Sequence, residues 1–198
     1  MILFLIVLNA LAFVIEAAGP TSLIDRFALW PLRPATADAP VFQLWQLLTY
    51  SVLHANLAHL VFNMLGLFMF GSEVERALGA SRTLKLYVAS VVCGGIAQVL
   101  TALTPAGDAH PAIGASAGVF GILVAYALIF PKRRVVLLFP PIPMPAWLFA
   151  TGYALVELLL GVSRDAPGVA HFAHLGGMAG AVLLISYWSR KPRHDAVE

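Results

Sequence analysis

Polar and apolar residues are not interleaved along this chain. They fall into six apolar blocks, predicting helices over about residues 2–18, 57–71, 84–103, 115–130, 146–162 and 169–188. Each block approaches the length at which a helix of about 20 residues crosses a hydrocarbon core. Pro and Gly punctuate the intervals. Gly19 to about Tyr50 contains Trp30, Pro31, Arg33, Pro34, Pro40 and Trp45, a long connection in which prolines break helix continuity and tryptophans suit a membrane–water interface. Glu73, Glu75, Arg76 and Arg82 make a polar turn after the second block, Thr104–Ile113 is a short loop, and Pro131-Lys132-Arg133-Arg134 stops the fourth block. Val135–Phe139 and four prolines, Pro140, Pro141, Pro143 and Pro145, precede the fifth. The predicted fold is an all-α membrane protein, a bundle of six transmembrane helices forming one domain over 1–198.

Composition agrees with this pattern. The chain is 60% hydrophobic and 11% charged, with mean hydropathy +0.86, against roughly 25% charge in soluble domains. The first block lacks the basic leader of a signal peptide and is followed by five more, so it reads as a membrane helix. The single cysteine, Cys93, can form no internal disulfide. Nothing in the composition points to nucleic acid or a cofactor.

The charges sort by side. Six helices place both termini together. The turns after helices two and four and the tail hold Arg76, Arg82, Lys85, Lys132, Arg133, Arg134, Arg190, Lys191 and Arg193, whereas the opposite side holds Arg26, Arg33 and Arg164. Nine against three predicts cytoplasmic termini. Depth follows. Ser116 and His174 each lie sixteen residues before a basic boundary residue (Lys132, Arg190), and His59 lies seventeen before Arg76. At ~1.5 Å per residue, all three sit about 24–26 Å above the cytoplasmic boundary, somewhat below the outer surface of a core about 30 Å thick.

That coincidence selects the chemistry. Ser116 in Gly114-Ala115-Ser116-Ala117-Gly118 reads alone as a small packing residue, and His174 as a satisfied core histidine. Equal depth on separate helices favours a nucleophile and its base. No acidic residue matches that depth on either helix, which predicts a dyad rather than a triad. His59 and Asn63, spaced i, i+4, share a face and can donate to an oxyanion, with the backbone N–H of Ser116 as a further donor. Phe120, four residues after Ser116, can stack on the imidazole of His174. His54 is expected to order the site from a loop, and His171 to be a supporting or interfacial residue. Glu157 is read as reaching the outer interface, and Glu75 with Arg76 as a structural anchor.

Three separated motifs resemble the rhomboid family of intramembrane serine proteases: Trp45-Gln46-Leu47-Leu48-Thr49-Tyr50 with His54 and His59-Leu60-Val61-Phe62-Asn63-Met64, then Gly114-Ala115-Ser116, then Gly168 with Ala173-His174 and Gly177. The likeness spans about 43–181. It implies Ser116 as nucleophile, His174 as general base, and His59 and Asn63 at the oxyanion; Gly114, Phe120 and His54 are expected to support the site. It also implies a loop after helix one lying partly in the outer leaflet, and a movable helix five admitting single-span transmembrane substrates from the lipid. Ala117-Gly118 reverses the family's usual order, and Ala181 stands where Gly is common. The expected setting is a prokaryotic inner (plasma) membrane, with no metal or other cofactor.

Two other readings compete. Gly-x-Ser-x-Gly also matches the nucleophile elbow of α/β-hydrolases, but that motif needs a preceding strand. A non-proteolytic membrane binder or transporter would use His54, His59, His171 and His174 as metal ligands.

Overall fold

A computed structural model describes residues 1–19, 22–33, 36, 38–104, 110–136, 141–163 and 168–190. Expectations concerning Pro34, Pro140, Arg164, Lys191 and Arg193 lie outside the described residues. The chain begins with α1 (Ile2–Ala18). The connection after it holds two short helices, α2 (Ser22–Phe27) and α3 (Gln46–Thr49), and a 3₁₀ turn, Tyr50–Val52. Next, α4 (Leu57–Gly66) continues through a π-helical stretch, Leu67–Gly71, into α5 (Ser72–Leu78). Then come α6 (Ala80–Thr101) and α7 (Ser116–Ile129). A hairpin of β1 (Arg134–Val136) and β2 (Pro143–Pro145), with Val135 opposite Met144, leads to α8 (Ala146–Ser163) and α9 (His171–Arg190).

All six predicted helices are present, and their boundaries teach something. The second does not stop at Gly71. It continues to Leu78, making one helix over Leu57–Leu78, because its charges are answered in place. Glu75 accepts from the Met1 ammonium at 2.8 Å and from the Ile2 N–H at 3.0 Å. Glu73 accepts from Arg133 at 2.5 Å and pairs with Arg76. The polar turn expected at 73–82 shrinks to Gly79, whose φ of 80° suits a residue without Cβ. The helix expected from residue 84 therefore starts at Ala80. Among the described residues, four helices are long and apolar enough to cross a membrane: Leu57–Leu78, Ala80–Thr101, Ala146–Ser163 and His171–Arg190. The apolar helices α1 and α7 are shorter, at 17 and 14 residues. At ~1.5 Å per residue α7 (14 residues) measures about 21 Å, shorter than a hydrocarbon core about 30 Å thick.

Small residues bring α6, α7 and α9 together. A Cβ on Gly94 would stand 2.6 Å from both the Ala117 Cβ and the Ala173 carbonyl oxygen, and one on Gly176 would stand 2.7 Å from the Cys93 carbonyl oxygen. Gly177 lies directly against the Ala117 backbone, and Gly121 against the Ser90 hydroxyl. Without hydrophobic driving force between helices in lipid, such close approach supplies the cohesion. Large side chains face outward instead, among them Leu3, Phe4, Leu44, Phe62, Leu159 and Leu183, as a lipid-facing surface requires.

The connection after α1 is tied down by the polar residues of its own motif. Gln46 Oε1 accepts from the Trp30 and Gln43 N–H groups, at 3.2 and 3.1 Å. Thr49 donates to the Phe27 carbonyl at 2.8 Å. The Tyr50 hydroxyl donates to the Val91 carbonyl of α6, also at 2.8 Å. Leu29 and Ala112 exchange backbone hydrogen bonds of 2.9 and 3.0 Å, fastening this connection to the strand of chain that delivers Ser116. At the other end of the bundle, the Met1–Glu75 pair, the Glu73–Arg133 pair and Arg82 over the Trp188 ring gather Met1, the last turn of α9 and the turns after α5 and α7.

Candidate active site

Ser116 is the first residue of α7. Gly114, two residues earlier, has a φ of 125°, and a Cβ there would stand 2.7 Å from both Cε1 and Nε2 of His59. Glycine is needed on both counts. The Gly114 N–H donates to the Tyr50 carbonyl at 2.9 Å, and the first N–H satisfied at the start of α7 is that of Val119, bonded to the Ala115 carbonyl at 3.0 Å. The N–H groups of Ser116, Ala117 and Gly118 thus belong to the unsatisfied end of a helix, where negative charge is favoured.

His174 occupies the first turn of α9 and is buried. Its Nε2 lies 2.7 Å from Ser116 Oγ. Phe120 stacks on the imidazole with ring centroids 4.6 Å apart and an interplanar angle of 28°. The two residues paired by depth in the sequence are therefore in hydrogen-bond contact, with the expected aromatic beside them.

The acid was misjudged. Glu157 does not reach the interface. It is buried, and its Oε2 lies 2.8 Å from His174 Nδ1 and 2.6 Å from His171 Nδ1. His171 and His174 are one turn apart, so a single oxygen from α8 reaches both. The fifth helix, expected to carry no group near the chemistry, carries this one. Depth along the serine and histidine helices carries no information about α8. The available signal was that Glu157 is the only acidic residue in Ala146–Ser163, and an ionisable residue within a membrane segment is a functional candidate by default. Tyr153, one turn earlier on α8, packs on Phe120 at 5.7 Å.

His59 and Asn63 come to the same place. Asn56 caps α4, its Oδ1 accepting the His59 N–H at 2.8 Å. The Ala55 N–H approaches His59 Nδ1 at 3.4 Å, which assigns that nitrogen as acceptor and leaves Nε2–H as the donor beside Gly114. Asn63 gives one amide hydrogen to the His59 carbonyl at 2.9 Å. His54 sits in the loop before α4, fully buried, its ring edge-on to His59 at 5.1 Å. Burial, with the His59 ring beside it, holds the His54 imidazole down at about 4 rather than 6.5. A cavity of about 570 Å³ collects these groups, lined by His59, Asn63, Ser116, Phe120, His174, Phe149 and Tyr153 among others. It is part polar, part apolar, and bounded on one side by α8.

The four histidines of the metal-binding alternative divide into two places. His54 and His59 pair in one, and His171 and His174 share Glu157 in the other, where the three ligand atoms lie within 4.8 Å of one another. The separations of 2.6 and 2.8 Å there are hydrogen-bond lengths. Donors about 2.0–2.1 Å from a tetrahedral ion would stand about 3.3 Å apart.

Comparison with known proteins follows the same lines. The rhomboid domain family matches residues 41–191. The chain is 33% identical over 145 residues to "Rhomboid protein 1, mitochondrial" of Saccharomyces cerevisiae, covering 69% of this chain and 40% of that protein. It is 32% identical over 139 residues to "Rhomboid protease GluP" of Bacillus subtilis, covering 69% of this chain and 24% of that protein. To "Rhomboid-related protein 3" of Homo sapiens it is 27% identical over 195 residues, covering 90% and 44%. The chain thus spans less than half the length of these relatives. With the matched domain covering most of its sequence and its apolar helices built for a membrane, this chain belongs to the rhomboid family.

Proposed function

We propose that this chain is a serine endopeptidase that cleaves single-span membrane proteins within their transmembrane segments, near the outer leaflet. The observation that carries the reading is the 2.7 Å contact between His174 Nε2 and Ser116 Oγ at the wall of a cavity. A hydroxyl becomes a useful nucleophile when an adjacent base takes its proton. Ser116 Oγ attacks the scissile carbonyl while Nε2 accepts that proton, and His174 then returns it to the leaving amine. The developing oxyanion meets the Ser116 N–H, the His59 Nε2–H and the remaining Asn63 amide hydrogen. Water activated by the same base releases the acyl group and regenerates the serine.

The fold proposed around this site has six membrane crossings, with the short helices α1 and α7 among them, one domain over 1–198, and both termini in the cytoplasm. The basic charge count and the gathering of Met1 and the last turn of α9 at one end of the bundle support it. The membrane proposed is a prokaryotic inner (plasma) membrane, although several similar proteins bear mitochondrial names. A C-terminal reporter fusion read as external would overturn the topology. The chemistry is tested by a fluorophosphonate probe, which should label Ser116 covalently and leave Ser116→Ala untouched. Labelling that persists in Ser116→Ala would contradict it. Zinc retained through purification in a protein that cleaves nothing would favour the metal-binding alternative.

A further inference from the structure

Glu157 is an acid that the two-residue mechanism does not use. An ionised carboxylate in a membrane protein's interior is costly unless donors answer it, and here two imidazole Nδ1 atoms converge on one oxygen, at 2.6 and 2.8 Å. An acceptor-only carboxylate requires both nitrogens to be N–H donors. For His174 the consequence is specific. A proton committed to Nδ1 leaves Nε2 bare, and Nε2 is the atom that faces Ser116 Oγ at 2.7 Å. A neutral histidine in the other tautomer would present Nε2–H to the hydroxyl and could not act as its base.

A second contact from α8 acts on the other side of the ring. Phe120 lies between His174, at 4.6 Å, and Tyr153, at 5.7 Å. Tyr153 and Glu157 are spaced i, i+4 and so leave the same face of α8. One helix therefore fixes the tautomer of the base at its edge and backs the residue stacked on its face.

We propose that Glu157 is a positioning residue for His174, completing a Ser116–His174–Glu157 relay whose acid is delivered by α8, so that the base is set only while α8 is docked. This deepens the protease reading and rests on it for its catalytic consequence. A simple structural staple between α8 and α9 would be served by the bond to His171 alone and would have no effect on the tautomer of His174.

The test uses the full chain in lipid vesicles with ¹⁵N-labelled histidine, the His174 signals being assigned by their loss in His174→Asn. Wild type should show a protonated Nδ1 and a bare Nε2. In Glu157→Ala the His174 population should move toward the Nε2–H tautomer, and fluorophosphonate labelling of Ser116 should slow by about 10²–10⁴-fold, the upper figure being the effect of an amide in place of the acid in serine–histidine–aspartate hydrolases. Glu157→Asp should keep the wild-type tautomer and recover much of the rate. Glu157→Gln preserves the packing and covers the case in which Ala loses the fold; it should also slow labelling. Wild-type labelling rates in both Ala and Gln, or an unchanged tautomer in Ala, would overturn the proposal. If wild type itself never labels while the tautomer still follows Glu157, the protease reading fails and the positioning role stands.

Discussion

The bundle has two kinds of helix contact. Where α6, α7 and α9 meet, backbone lies on backbone. Gly94, Gly121, Gly176 and Gly177 leave no room for a Cβ, and Ala117, Ala173 and Ala181 are buried. At α8 the contact is made by side chains: Phe149 and Tyr153 lean on Phe70 and Phe120, and Leu155, Val156, Leu158, Leu159 and Val162 point outward. Gly152 has open space around it. The first kind of contact cannot open without large loss of packing, and it carries Ser116 and His174. The second parts by turning a few aromatic rings and breaking the two hydrogen bonds that Glu157 makes to His171 and His174. Ser116 and His174 are thus held on a rigid centre, while Glu157 arrives on the helix with the looser packing.

The sharpest way to probe the rigid side is chemical. Removing one oxyanion donor typically costs about 10²–10³ in rate. His59→Ala and Asn63→Ala should therefore lower kcat far more than they raise KM. Near-wild-type turnover in both would make them structural. A matched pair of glycine substitutions tests the packing contrast. Gly177→Ala forces a methyl against the Ala117 backbone, and overpacking of this kind costs about 1–3 kcal/mol. Gly152→Ala meets nothing and should gain about 0.5–1 kcal/mol from helix propensity. Thermal unfolding in one detergent compares them, and equal effects would erase the distinction between the two contact types.

The mobile side calls for substrates of two kinds. Phe70 and Phe149 have ring centroids 6.1 Å apart, so a short thiol cross-linker joining Phe70→Cys to Phe149→Cys, in a chain lacking Cys93, would pin α8 to the helix of His59. Cleavage of a transmembrane substrate should fall sharply, with labelling by a small fluorophosphonate preserved. Full cleavage by the cross-linked protein would rule out lateral entry past α8. Trimming Phe149 or Tyr153 to Ala should do the reverse, raising transmembrane cleavage by a few-fold and short-peptide cleavage less.

The smallest effect expected is on pH. Because folding lowers the imidazole of His54 from 6.5 to about 4, its stabilising contribution is complete above the unfolded value and drains away as pH falls through that interval. His54→Gln should therefore lose less thermal stability than wild type between neutral pH and about pH 4. Identical losses would show that other groups set the acid sensitivity.

How much of this was legible in the sequence differs between the same two regions. The rigid centre was written locally. Apolar blocks gave the six helices, small residues flanked Ser116 and His174, and residue counts from basic boundaries put them at one depth. The i, i+4 spacing of His59 and Asn63 needed no tertiary information. What escaped notice depended on charges meeting across the fold. The second helix passes Gly71 because Met1 and Arg133 reach back to Glu75 and Glu73. Short helices within 19–50 form where Gln46 and Thr49 find distant backbone partners. Glu157 looked like an interfacial acid because a helix's depth does not reveal which way its one polar side chain turns.

The central claim is that a serine and histidine on the rigid centre cleave peptide bonds inside a membrane. Its most direct test is to reconstitute the purified chain in lipid with a panel of single-span membrane substrates, alongside Ser116→Ala at equal density, and to map the products by mass. The expected product is a cut within or at the outer edge of a transmembrane segment, present in wild type and absent in Ser116→Ala. Equal cleavage by both proteins, or cuts confined to regions far outside the bilayer, would contradict it.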